Sequence, residues 1–179
     1  MSLQNVARSG QVTEAIRATV AGIFWGEAAP GVPAFELVEV YDQPNLIEAL
    51  KERMLYKNRV CLVIPDRVRI ANSLDGTQLR GELTRDFLVI VVDKNVGDRQ
   101  SANAGGENNP GSWLLRDLAI ESLHGALCGV EGVYCTIDES EPLRFRDKDR
   151  IELAKRGAEM ILVSVHCGTL SDTLPPYLR

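Results

Sequence analysis

Gln78-Leu-Arg-Gly-Glu-Leu-Thr-Arg-Asp-Phe-Leu-Val-Ile-Val-Val-Asp93 holds two patterns in one run. Its first half alternates, with Leu79, Gly81 and Leu83 set against Arg80, Glu82 and Thr84. Period-two alternation marks a strand with one wet face. Its second half, 87–92, is continuously apolar, as a strand buried on both faces is. A strand that changes character this way is expected to bend or bulge near 84–86. It also needs partners. Upstream, Val68 and Ile70 alternate with arginines, and Leu74-Asp75-Gly76-Thr77 carries an Asp-Gly turn signal. Together they predict an antiparallel ribbon that becomes a core strand. Before it, Val60-Cys-Leu-Val-Ile64, closed by Pro65, predicts a second central strand.

The flanks supply helices. Val12, Ala15, Ile16, Thr19, Val20, Ile23 and Phe24 fall on one helical face, and Gly26, Pro30, Gly31 and Pro33 end that helix. A short extended stretch, 34–41, follows. Asn45 is an N-cap for a helix over 46–55. The stretch 95–112 is the most polar, with four glycines and four asparagines. Loops of this length are functional or disordered. A helix over 113–127 comes next, capped by Gly111 or Ser112 and ended by Gly129. Strands are expected at 134–139 and 158–167. Shorter strands at 142–145 and 151–154 flank the charge run 146–150. The sum is α+β: one mixed, mostly antiparallel β-sheet with helices packed on one side, plus an extended hairpin and a long polar loop. The domain plan is a flexible N-terminal arm (1–10), a single α+β domain (11–168) and an extended C-terminal tail (169–179).

The 179 residues are 45% apolar, enough for one ordinary globular core. Lys plus Arg number 20 against 25 acids, a formal charge of −5. A protein whose main work is gripping phosphates usually carries a basic surface, so nucleic-acid binding as the principal activity is disfavoured. The longest apolar run, 87–92, is far short of the ~20 residues of a membrane helix. The first ten residues lack a signal peptide's apolar stretch, so a cytoplasmic protein is expected. Its four cysteines (Cys61, Cys128, Cys135, Cys167) form no CxxC and are expected to be reduced and mostly buried.

The search for chemistry finds no active-site signature. There are two histidines, His124 and His166, and no HExxH. Cys128, Cys135 and His124 match no common zinc spacing. The glycines of 105–111 precede a helix, as a phosphate loop does, but no Lys-Ser or Lys-Thr follows. Asp138, Glu139 and Glu141 fall within four positions. In a strand-turn-strand they are expected to alternate in direction and face water. No catalytic residue, metal or cofactor is assigned. Arg67, Arg69, Arg80 and Arg85 crowd the ribbon, either as charges that protect an edge or as a surface set against an acidic part of another subunit.

Over residues 12–168 the order of features resembles the tail terminator (tail completion) proteins of long-tailed bacteriophages, those of Mu-like phages and prophages especially. The resemblance is carried by the helix at 12–25, by Val60-Cys-Leu-Val-Ile64 before Pro65, and by the Arg-rich strand leading into 87–92. A polar loop then precedes the helix Trp113-Leu-Leu-Arg-Asp-Leu-Ala-Ile-Glu-Ser-Leu-His-Gly-Ala-Leu-Cys-Gly129, and Pro142-Leu143 and an apolar strand at 158–165 close the pattern. The resemblance implies a structural protein that forms a hexameric ring. That ring caps the tail tube, stops its polymerisation and offers a surface for the head. Its partners are further copies of itself, the tail-tube protein and a head-completion protein, with DNA only as a passing non-specific contact. It implies residence in the host cytoplasm during assembly and in the virion tail afterwards.

Interface candidates follow from the loop and the ribbon: Arg99, Gln100, Asn103, Glu107 and Asn109, with Arg67, Arg69 and Arg80. Two other function classes fit the same residues. One is a small cytoplasmic hydrolase-like enzyme using His124 or His166 with nearby acids. The other is an adaptor domain unrelated to phage that uses the 95–112 loop.

Overall fold

The computed structural model describes residues 9–25, 31–42, 45–75, 78–94, 104–105, 110–126, 133–142 and 157–173. Among the described residues, three helices and five strands follow one another along the chain. They are α1 (Ser9–Ala21), β1 (Leu37–Val40), α2 (Leu46–Tyr56), β2 (Arg59–Asp75), β3 (Gln78–Asp93), α3 (Gly111–Leu123), β4 (Tyr134–Pro142) and β5 (Gly157–Thr173). One five-stranded sheet has the order β1-β2-β3-β5-β4. Only β1 and β2 run parallel; the other pairs are antiparallel. The α+β class and the mixed, mostly antiparallel sheet expected from the sequence are present.

Alternation along the central strands sorts the core into two layers. Cys61, Val63, Val89 and Val91 pack with Val12, Ile16 and Val20 of α1 and Leu115, Ala119 and Leu123 of α3. Their neighbours Val60, Leu62, Ile90 and Val92 pack with Ala49, Leu50 and Met54 of α2. The helices therefore do not all lie on one side, as the sequence reading had it. Continuously apolar strands need cover on both faces, and α2 provides the second. Arg53 ties α2 to β1 through Glu39, at 2.8 and 3.2 Å. Lys94 Nζ donates to the Met54 carbonyl at 2.9 Å, near the end of α2 where orphan carbonyls collect. At the other end, the Asn45 side chain accepts from the Glu48 N–H, the cap expected there.

Pro65 does not end its strand. β2 continues to Asp75, with a register shift between Pro65 and Val68. Proline lacks an N–H, and a bulge beside it lets the ladder resume. On β3 the expected irregularity near 84–86 falls between Glu82 and Thr84, in the pairing with β5. α3 stops at Leu123, four residues before the expected end. Gly111, at φ 74°, and Gly125, at φ 75°, make the turns at its two ends. β5 runs past Cys167 to Thr173, and α1 takes in Ser9 and Gly10. Of the strand expected at 142–145, Pro142 is the last residue of β4; the rest of it and the strand expected at 151–154 lie outside the described residues.

The two edges of the sheet are handled differently. β1 pairs only with Val60 to Val63, so the rest of β2 has no strand on its outer side among the described residues. β4 is partly covered. Gly125 N–H donates to the Cys135 carbonyl at 2.9 Å, and Cys135 N–H donates to the Ala126 carbonyl at 3.1 Å. His124 Nδ1 accepts from the Ile137 N–H at 3.4 Å. The chain leaving α3 thus satisfies edge groups that would otherwise invite another strand.

Candidate functional site

α2 covers only one end of its face of the sheet. Beyond it, a polar cluster crosses four strands. Asp86 of β3 is its centre, with a side chain wholly out of water. Arg67 Nε donates to Asp86 Oδ2 at 2.7 Å, and Arg69 Nη2 donates to Oδ1 at 2.7 Å. Both arginines come from β2, Arg67 within the bulge at 65–68 and Arg69 just after it. Arg69 also donates to Ser164 Oγ of β5 at 2.9 Å. The Ser164 hydroxyl lies 2.9 Å from Asp86 Oδ1 and also contacts Asp138 of β4. Its single proton serves one of these carboxylates at a time.

Burial raises the Asp86 carboxyl, but the hydrogen bonds from Arg69, Arg67 and Ser164 outweigh it. The group is held below the ordinary carboxylate value. Asp138 adds a longer ion pair to Arg69 at 3.7 Å, and Asp66 adds one to Arg67 at 3.8 Å. Arg67 and Arg69 are thus matched by acids of their own chain. The sequence left these charges either protecting an edge or facing an acidic surface of another subunit; within the chain they meet Asp66 of β2, Asp86 of β3 and Asp138 of β4. Asp86, Ser164 and Asp138 were not picked out with the arginines. The signal was present, since Asp86 and Ser164 are polar residues beside or within apolar strand runs.

On the same face, His166 stacks on Tyr134 with centroids 4.7 Å apart. His124 sits at the β4 edge, bonded to the Ile137 N–H. The two histidines serve separate places. The Ser164 hydroxyl is held among Arg69, Asp86 and Asp138, away from both. The three acids of β4 do not alternate as expected. A register shift between Ile137 and Glu139 sets Glu139 opposite Leu162 and Glu141 opposite Met160, while Asp138 reaches Ser164. The bulge puts all three on the α2 side of the sheet.

Three cysteines, Cys61, Cys135 and Cys167, are buried thiols in the α1/α3 layer. Burial pushes the Cys61 thiol up, away from the reactive thiolate. Arg80 pairs through its backbone with Ser73 and Ser171, but its side chain lies outside the described residues. Arg99, Gln100, Asn103, Glu107, Asn109 and Cys128 also lie outside them. Among the described residues no helix is long and apolar enough to cross a membrane. Set against known proteins, the chain matches no family model and no curated protein.

Proposed function

We propose that this chain is a structural protein of a phage or prophage tail, forming a ring that caps the tail tube and ends its polymerisation. One observation carries the most weight beside the order of elements. β2, β3 and β5 pair on past Leu83 and Cys167, the outermost core residues of the α1/α3 layer on β3 and β5. Just inside that limit, Val68, opposite Arg85, and Ile70, opposite Leu83, are 54% and 52% exposed on the outer strand β2. Aliphatic side chains held on a regular sheet face in water suit a surface that another subunit covers. The long β2 edge next to them suits the same end.

In this reading each copy contributes different patches to its two neighbours, and rotation closes the ring. The tail-tube protein lies on one side and a head-completion protein on the other. DNA passes through the centre without being held, which the formal charge of −5 favours. The protein works in the host cytoplasm during assembly and stays with the virion tail.

The test is native mass by light scattering over a wide concentration range, with and without the cognate tail-tube protein. A mass six times the 19.7 kDa protomer, alone or on addition of tube protein, is expected. A protomer indifferent to tube protein overturns the proposal.

A further inference from the structure

On its α1/α3 side, between the buried Leu83 and Phe87, β3 carries Arg85, which has no hydrogen bond or ion pair among the described residues. Val68, Arg85 and Val165 form a row across β2, β3 and β5, with Ile70 and Leu83 in the next row. Alternation from Leu83 and Phe87 sets Arg85 on the α1/α3 side, away from Arg67 and Arg69. Arg85 is half-buried. Its Nε is out of water and has no hydrogen-bond partner among the described residues. Arg67 and Arg69 both have Asp86. A guanidinium with a desolvated donor, beside exposed Val68 and Ile70, has the make-up of an interface anchor that takes a carboxylate.

The same chain carries such carboxylates at the far edge of its sheet. Glu139 and Glu141 of β4 are exposed and, through the bulge, share one face. No hydrogen bond or ion pair engages either of them among the described residues. A two-fold dimer through the Arg85 patch would set arginine against arginine. Contact between the Arg85 patch of one copy and the β4 acids of the next sets opposite charges together, and every copy offers both halves.

We propose that Val68, Ile70 and Arg85 form the docking surface for a second copy of this chain, whose Glu139 and Glu141 pair with Arg85. The contact is heterologous, so it propagates from copy to copy until it closes. It rests on the ring-forming reading above and assigns that reading its contact.

The experiment uses the full chain in four forms beside the wild type: Arg85→Glu, the double change Glu139→Arg with Glu141→Arg, all three together, and Ile70→Asp. Ile70 is half exposed, so its change tests the surface without opening the core. Circular dichroism checks the fold, and light scattering reads mass against concentration. Arg85→Glu, the double change and Ile70→Asp each weaken association at least tenfold, and the triple change restores it. Wild-type rings that persist unchanged in Arg85→Glu and Ile70→Asp overturn this contact and leave the ring reading standing. Loss of tail-tube binding with self-association intact also overturns it, because the occupant is then a different protein. A wild type that stays a protomer alone and with tube protein overturns both.

Discussion

Arg69 of β2 reaches over β3 to donate to Ser164 of β5 at 2.9 Å, while the same nitrogen holds Asp86 at 2.7 Å. One guanidinium thereby fixes three strands from above. Charge-assisted bonds of this kind are about twice as strong as neutral ones. Their centre, Asp86, is the residue with no access to water.

Replacing Asp86 with Ala is therefore expected to cost roughly 2 kcal/mol, since it removes bonds to two arginines and a serine. The arginines are left half exposed and can hydrate, which limits the loss. Urea denaturation at neutral pH measures it. An unchanged midpoint would show that the cluster adds nothing to stability.

Acid should expose the same group. The folded-state value of Asp86 lies below its ordinary 3.8. Its contribution is present above that value and is lost as pH falls through the folded pKa. Asp86→Asn should flatten the acid limb of the stability curve, read as urea midpoints from pH 6 down to pH 3. An acid limb as steep as the wild type's would assign the slope to other carboxylates.

Glu159 should behave in the opposite sense. It is 1% exposed, and burial raises its carboxyl, although Arg116 Nη1 lies 3.6 Å away. Its contribution to stability is present below the ordinary value of 4.5 and is lost as pH rises through the folded pKa. Glu159→Gln is expected to gain stability relative to wild type between pH 5 and pH 8. A difference that does not change with pH would remove Glu159 from the account.

The second core layer gives a contrast within one helix. Leu50 is wholly buried and Leu55 is 66% exposed, both on α2. Leu50→Ala should cost about 3 kcal/mol, in the usual range for a cavity, while Leu55→Ala should stay within about 0.5 kcal/mol of wild type. Equal effects would mean that α2 does not pack on the sheet through this face.

His124 offers a local test. Its Nδ1 accepts from the Ile137 N–H, so His124→Ala should speed hydrogen exchange at Ile137. The amide of Ile90, in the central strand β3, should be unaffected. Exchange at Ile137 that matches wild type would show that the His124 bond does not protect this amide.

Much of the fold was legible because the strands state their burial. The apolar run 87–92 and the stretch 60–64 could only be central, and α1 and α2 announced themselves by spacing and by Asn45. What the sequence left open was relational. Nothing local in 46–55 says which face of the sheet α2 takes; that follows only once both strands alternate into a shared sheet. Pro65 reads as a terminator because it lacks an N–H, and the bulge that accommodates it depends on the opposing strand. Arg67 and Arg69 were visible as charges, but their partner Asp86 lies 19 and 17 residues away. The β4 acids were visible too, and it took the register shift after Ile137 to turn them to one side.

The two layers of the core meet only through the backbone of the central strands. Residues adjacent in sequence on β2, such as Cys61 and Leu62, report to different helices. Among the described residues the α2 layer is the smaller, with nine buried residues against twenty-one. Such a layer can open on its own while the other stays closed, as a separate cooperative unit. The expected order of melting is then that α2 lifts first and exposes Val60, Leu62, Ile90 and Val92 while α1 and α3 still hold the opposite face.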